Sequence, residues 1–320
     1  MNFQNLESFL VMAEEKNMTR AAERLHISQQ ALSGLLTRLE KEVGSELFFR
    51  RAGLELTYAG KCLQRSAVQI LDIQRQTMAA IEDTKENRRG ELRIGISHTR
   101  GQSILPLVLP EFSRQYPLVE LSIFEGSTTV LEEDLDKGLI DVLIGFAPFM
   151  LESAVCTPLM YEKMYLVAQK ELLQDVFGEK KQQVCEQYLQ TRDLSLFAGL
   201  PFVLLKSGDR IRTIVNQTFA SYGISPEVKL ETANVQTAFC LAAEGMGVTV
   251  CPELYLNSPY TISGSPDSAI RQATEIFPFS GPDSVDTIAI GYNGKRYLSK
   301  MARDFIDLSL RLYQRDPIFS

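Results

Sequence analysis

Residues 18–40 read Met18-Thr-Arg-Ala-Ala-Glu-Arg-Leu-His-Ile-Ser-Gln-Gln-Ala-Leu-Ser-Gly-Leu-Leu-Thr-Arg-Leu-Glu40. Two short helical patterns meet across a tight turn. Ser28 stands at an N-cap position, where a short hydroxyl accepts from the unpaired N–H groups of a helix's first turn. Behind it, Leu32, Leu35, Leu36 and Leu39 recur at i, i+3, i+4 and i+7, which predicts an inward face. Gln29, Gln30, Ser33, Gly34, Thr37 and Arg38 fill the opposite face. Amides, hydroxyls, one cation and little bulk suit base edges in a DNA major groove. The spacing predicts a helix-turn-helix. The plain alternative is two helices of a bundle with a solvated polar face.

The flanks favour the first reading. Leu6, Phe9, Leu10 and Ala13 predict a preceding amphipathic helix. Thr19 is read as the cap of a helix starting at Arg20, with Ala21, Ala22 and Leu25 inward. After Gly44, Leu47-Phe48-Phe49, Arg50-Arg51-Ala52-Gly53 and Leu54-Glu55-Leu56-Thr57 predict strand, turn, strand. Such a hairpin is a wing, whose arginines hold phosphate or enter the minor groove. Gln29 and Gln30 are assigned to adenine edges, and Ser33 and Thr37 to bases or thymine methyls. Arg38, Arg50 and Arg51 are assigned to phosphate, and Thr19, Arg20 and Ser28 complete the expected contact set.

The chain has 320 residues and a net charge of −7, enough length for several domains. Residues 1–60 carry seven cations against eight anions, so DNA binding requires the basic groups to share one face. Few phosphate contacts per headpiece imply that tight binding needs two or more headpieces on one DNA. No apolar run reaches membrane-spanning length, and the stretch around Glu7 does not read as a signal peptide. Five scattered cysteines, Cys62, Cys156, Cys185, Cys240 and Cys251, read as reduced thiols of a cytoplasmic protein. Two histidines, His26 and His98, form no Cys/His cluster, so neither a metal site nor a cofactor is expected.

From Tyr58 to Arg88 there is no proline, and after Gly60 no glycine. Leu63, Ala67, Ile70, Thr77, Ile81 and Thr84 approximate an a/d seam with Gln74 as a polar break. This predicts a connecting helix that pairs two copies and spaces their headpieces; the alternative is a bundle helix of the C-terminal domain. Next, Leu92–Ile96, a helix opening at Ile104-Leu105-Pro106, Val119–Ile123, Val130–Leu135 and Asp141–Gly145 alternate as strand and helix. The pattern recurs at Phe202–Leu205, 212–221, Glu227–Glu231, Val235–Glu244 and Val248–Pro252, and Thr287–Tyr292 and a helix at Tyr297–Tyr313 close the chain. Tandem α/β halves predict two lobes with a cleft between them and the ligand at strand carboxyl ends. Ser97, Thr99, Ser127 and Thr128 fall at such ends, where hydroxyls and backbone N–H groups hold anions. Phe146 and Phe202 are expected as apolar walls, and Arg100 and His98 hint at an acidic ligand. Residues 171–191 read as an extra helix on the second lobe.

Taken together, the chain resembles LysR-type transcriptional regulators over essentially its whole length. The resemblance is carried by Thr19–Leu25, Ser28-Gln29, Ala31–Ser33, Arg38–Glu40, Gly44, Leu47-Phe48, Arg50, Leu56-Thr57 and Ala59-Gly60. Further on it is carried by Leu92–Gly95, Leu105-Pro106, Tyr116-Pro117, Glu125–Ser127, Gly138–Asp141, Gly245–Val248 and Pro252. It implies a winged helix-turn-helix over 1–58, a linker dimerisation helix over 59–89, and a two-lobed, type II periplasmic-binding-protein-like effector domain. Its first lobe is expected at 90–162 and 267–320, its second at 163–266. It further implies a homodimer or homotetramer on double-stranded promoter DNA, switched by a small-molecule effector in the cleft. Ser97, Thr99, Ser127 and Thr128 are the contacts it points to. Gln30 stands where the family often has proline, and Gly34 where it often has a cation or polar residue. The region from Arg50 to Gly53 is short for a family wing.

An enzyme is not expected, because no nucleophile elbow, phosphate loop or His/carboxylate pair is visible. The alternatives are a redox-responsive regulator without bound effector, acting through Cys156, Cys185 or Cys240, and an interaction protein with a degenerate headpiece.

Overall fold

The computed structural model describes residues 1–49, 54–83, 89–264, 268–279 and 285–315. Three helices begin the chain: α1 (Phe3–Glu15), α2 (Met18–Arg24) and α3 (Gln29–Val43). A two-stranded hairpin follows, β1 (Phe48–Phe49) against β2 (Glu55–Leu56). The tip of the expected wing, Arg50–Gly53, lies outside the described residues. Phe9, Met12, Ala21, Ala22, Leu32, Leu39, Leu47 and Phe48 form the headpiece core. The Phe9 ring meets Phe48 at 5.4 Å, so α1 also supports the hairpin.

The cap of α2 is Asn17, not Thr19. The Asn17 Oδ1 accepts from Thr19 N at 2.9 Å and Arg20 N at 3.1 Å. An Asx side chain two residues earlier competes well for those donors, and it moves the helix start to Met18. Leu35, placed inward by its spacing, is half-buried and sits outside the headpiece core.

Helix α4 (Tyr58–Glu82) is continuous over 25 residues and capped by Thr57, whose side chain accepts from Gly60 N at 3.0 Å. Its first turns pack on α1. Leu63 joins the headpiece core and Ala67 is buried. Farther along, Ile73, Met78 and Ile81 stay exposed.

The remaining chain forms two lobes. The first contains β3 (Gly90–Ile96), α5 (His98–Gln115), β4 (Val119–Glu125), α6 (Thr128–Lys137) and β5 (Val142–Phe146). Strand β3 lies between β4 and β5, parallel to both. Helix α5 starts at His98, well before the expected opening at Ile104, and continues through Pro106 and Pro110.

Strand β6 (Ala154–Gln169) then leaves the first lobe and enters the second. The expected extra helix is two, α7 (Lys170–Phe177) and α8 (Lys181–Thr191), joined by a 3-10 turn. Leu173, Cys185 and Tyr188 from this pair enter the second core, whereas Val176 and Leu189 are exposed. Next come β7 (Pro201–Leu205), α9 (Arg210–Ser221), β8 (Glu227–Thr232), α10 (Val235–Ala243), β9 (Thr249–Pro252), α11 (Glu253–Asn257), α12 (Ala269–Gln272) and β10 (Thr274–Phe279). Strands β7 and β8 are parallel; β9 and β10 run antiparallel to β6.

Strand β11 (Val285–Asn293) returns to the first lobe between β5 and β6, and α13 (Lys300–Arg315) covers it. The return, placed at residue 267 from the sequence, comes after Phe279. Phe277 and Phe279 belong to the second core, and β10 pairs with the second-lobe half of β6. Two spans of chain, β6 outward and β10–β11 back, therefore connect the lobes, the arrangement of a hinge.

Candidate nucleic-acid interface and ligand cleft

The nucleic-acid candidate is built on α3. Ser28 caps it, accepting from Ala31 N at 3.1 Å. Leu32 and Leu39 are fully buried beneath it, each contributing about 2 kcal/mol through removal of apolar surface from water. Thr19, Arg20, Ser28, Gln29, Gln30, Ser33, Thr37 and Arg38 are all exposed. They lie on the first turn of α2, at the cap of α3 and along its outer side. Thr37 Oγ1 donates to the Ser33 carbonyl at 3.0 Å, which takes up its hydroxyl proton. Nothing stands within 4 Å of where a Gly34 side chain would begin, so that position leaves backbone open to a close partner. Arg24 is withdrawn from this surface by Glu14 and Glu15, at 2.8 and 2.9 Å. Those hydrogen bonds raise its guanidinium pKa. Arg50 and Arg51 lie outside the described residues.

The cleft candidate lies at the carboxyl ends of β3, β4 and β5. Ser97 stands at the N-cap position of α5 with its hydroxyl accepting from Arg100, and Ser127 caps α6, accepting from Val130 N at 3.5 Å. Thr99 and Thr128 are half-buried one residue into α5 and at the start of α6. The Thr128 side chain lies against Gly145, next to Phe146. Helix α9 opens opposite, capped by Asp209, which accepts from Ile211 N at 2.7 Å. Helix N-termini carry partial positive charge, and three of them face this region.

Three sequence assignments change here. Phe202 is fully buried in the second core, edge-on to Phe219 at 5.0 Å, and is no cleft wall. Its strand is covered on both sides, and an apolar run cannot report which side is ligand-facing. Arg100 is not a free cation. It is buried against Glu162, donates to Ser97 Oγ at 3.2 Å, and stacks 3.8 Å from the Phe146 ring centroid. Burial and the nearby Asp286 and Glu253 carboxylates raise the Glu162 pKa, and the Arg100 charge only partly offsets them. His98 is turned to Glu125, at 3.0 Å.

The cation that sequence reading missed is Arg210, at the start of α9. Its guanidinium is half-exposed, reaches Asp286 on β11 at 2.9 Å, and lies 5.7 Å from the Phe146 ring. It thus bridges the lobes. The signal was available: Asp209, an N-cap residue type, stands just before Ile211, Ile214 and Val215 at helical spacing and marks a helix start following β7. Among the described residues no cluster of His, Cys, Asp or Glu is arranged to hold a metal ion, and no helix is long and apolar enough to cross a membrane.

An exposed recognition helix on a small core, joined by a long helix to a hinged two-lobed domain, defines a DNA-binding regulator. The model of the bacterial regulatory helix-turn-helix protein, lysR family, matches residues 3–61, and that of the LysR substrate binding domain matches residues 85–314. The transcriptional regulator YcgK of Bacillus subtilis is 28% identical, over 97% of this chain and 94% of its own length. ClcR of Pseudomonas putida is 32% identical over 79% of this chain and 83% of its own length. Among solved structures, a full-length OxyR from Pseudomonas aeruginosa aligns with a TM-score of 0.66 at 24% identity, covering 100% and 96% of the two chains. Full-length CbnR complexed with its target DNA aligns with a TM-score of 0.64 at 21% identity, covering 98% and 100%. The chain belongs to the LysR family and is a DNA-binding transcriptional regulator. The family is one of regulators, not enzymes.

Proposed function

We propose that this regulator binds promoter DNA in the bacterial cytoplasm as a homodimer or homotetramer, and that a small acidic effector in the inter-lobe cleft switches it. The observation that carries the DNA half is the two-sided α3, with Leu32 and Leu39 buried while Gln29, Ser33 and Thr37 are exposed. On this reading Gln29, Gln30, Ser33 and Thr37 meet base edges, and Arg20 and Arg38 meet phosphate. The near-neutral headpiece makes few phosphate contacts, so a second headpiece supplies the affinity. The effector half rests on Ser97, Thr99, Ser127 and Thr128 at the α5 and α6 N-termini, with Phe146 as a wall and Arg210 as a mobile cation. Ligand that prefers the closed lobes shifts the population toward them.

The test begins with duplexes selected from a random pool by the full-length protein. Gln29→Ala is expected to change which duplexes are selected. Arg38→Ala is expected to weaken all of them about equally and lower the slope of log affinity against log salt by about one. The same response from both variants would overturn the division of roles. Thermal shift against a panel of small carboxylates, in native protein and in Ser127→Ala, tests the cleft.

Of the three thiols named by the redox alternative, Cys185 and Cys240 are poorly suited to it, whereas Cys156 on β6 is exposed and is the one through which that reading would act. Burial and the Glu275 carboxylate push Cys185 up to about 11. Burial raises Cys240 and the fully enclosed Cys251 as well, and peroxide reacts with thiolates.

A further inference from the structure

Helix α4 grips the first lobe at the C-terminus of α6. Arg75 Nη2 donates to the Gly138 carbonyl at 2.6 Å, and Arg93 Nη1 donates to the same oxygen at 2.8 Å. Arg75 also reaches Asp72, at 3.2 Å. The buried Asp72 accepts from Gln76 at 2.6 Å and pairs with Arg296. Arg296 in turn donates to the Asp136 carbonyl in the last turn of α6. Gly138 ends α6 in the left-handed region, at φ 71°, and a methyl group there would overlap both Arg296 and Asp72. Glycine is therefore what lets the clamp close.

The contact continues along one face of α4. Gln76 accepts from Tyr297 N at 3.1 Å, and Asp83 accepts from Tyr297 OH at 2.8 Å and Lys300 N at 2.7 Å. Asp72, Arg75, Gln76, Ala79 and Asp83 recur at helical spacing, so a polar face docks while the neighbouring Ile73, Thr77 and Ile81 stay exposed. A cavity of about 540 Å³ lies beside the clamp, between α4 and the first lobe. The two bodies thus meet through a few directed polar bonds, not through a continuous apolar seam. Burial and the Arg93 charge push the Arg75 guanidinium down to about 10, so it stays charged at neutral pH.

The other end of α6 is the Ser127–Thr128 rim of the cleft. The ten residues of α6 span about 15 Å of continuous helix. We propose that Arg75 and Asp72 are positioning residues that read the placement of α6 and pass its movement in the cleft to the linker helix. The identity of the trigger rests on the effector reading above; the mechanical link does not.

Hydrogen exchange of the full-length protein, followed by mass spectrometry, tests the link without a ligand. Thr128→Phe displaces the cleft end of α6. It is expected to speed amide exchange in residues 73–83 at least threefold in the otherwise native chain, and by less than 1.5-fold in an Arg75→Gln background. Arg75→Lys, which keeps a charged donor for the Gly138 carbonyl, is expected to restore part of the response. A merely structural Arg75 would raise the baseline without changing this ratio. The proposal is overturned if residues 73–83 do not respond while α6 does, or if they respond equally without Arg75. Should Thr128→Phe fail to fold by circular dichroism, Ser127→Ala, which removes the α6 cap, takes its place in the same comparison. A linker that responds in a protein no small carboxylate stabilises would sink the effector reading and leave this coupling standing.

Discussion

His26 illustrates how much one backbone angle can carry. It sits in the turn between α2 and α3 at φ 54°, a left-handed conformation that costs a residue with a Cβ about 1–2 kcal/mol. Glycine would relieve that cost but lose about 0.5–1 kcal/mol through the greater freedom of its unfolded chain. The first term wins narrowly, so His26→Gly is expected to leave the headpiece equal or up to about 1.5 kcal/mol more stable. His26→Val, with a branched Cβ in the same angle, is expected to destabilise it clearly. Urea titration of the two variants orders them; a destabilising glycine would mean the imidazole makes a contact that matters. Cys185 makes a second residue-scale case. Its thiol is pushed up to about 11 by burial and by Glu275, so at neutral pH the thiolate is about one part in ten thousand. Folded protein at pH 8 is expected to resist alkylation at Cys185, with the rate climbing about tenfold per pH unit toward 11. Rapid labelling at pH 8 would return Cys185 to the redox reading.

At the scale of elements, legibility followed periodicity. Helix α3 could be read because its leucines repeat every three to four residues and Ser28 marks its start. Ser28→Ala removes the acceptor for Ala31 N. It is expected to cost about 1 kcal/mol by thermal melting and to weaken DNA binding across sequences, since it frays the end of α3 that carries Gln29 and Gln30. Unchanged melting would show that the cap is replaced by solvent. The start of α5 was hidden for the opposite reason. His98–Gly101 offers no apolar repeat, and Pro106 imitates the proline that favours a first helical turn. The structure carries the helix through that proline. Phe202 was misplaced because an apolar strand buried on both sides looks the same as one lining a cleft. The Arg100–Glu162 pair was illegible altogether. Its members are 62 residues apart and meet only after β6 crosses behind α5. The sequence put Ser97, Thr99, Ser127 and Thr128 at strand ends, and they stand at the starts of α5 and α6; Arg210, on α9 of the other lobe, was not read.

For the whole molecule the decisive question is what holds the lobes together. Their covalent connection is two spans of chain, which permits rotation at little cost. Across the cleft the Arg210–Asp286 contact ties α9 to β11, with Asp286 buried and the arginine half-exposed. Exposure on one side lets salt screen the pair, so it contributes modestly and reversibly. That suits a latch better than a permanent brace. Arg210 also leans toward Phe146, so an anionic ligand at the rim would draw the same guanidinium inward. Arg210→Ala is therefore expected to do two things. It should widen the distribution of distances between dyes carried at positions 137 and 187 in oligomers containing one labelled chain. It should also lower affinity for small carboxylates about tenfold, a value appropriate to one partly exposed charge-assisted bond. High salt should widen the native distribution in the same direction and leave the variant nearly unmoved. If the native and Arg210→Ala distributions coincide at low salt, the contact does not govern closure, and the lobes are held by the packing of β6 against β10 and β11 alone.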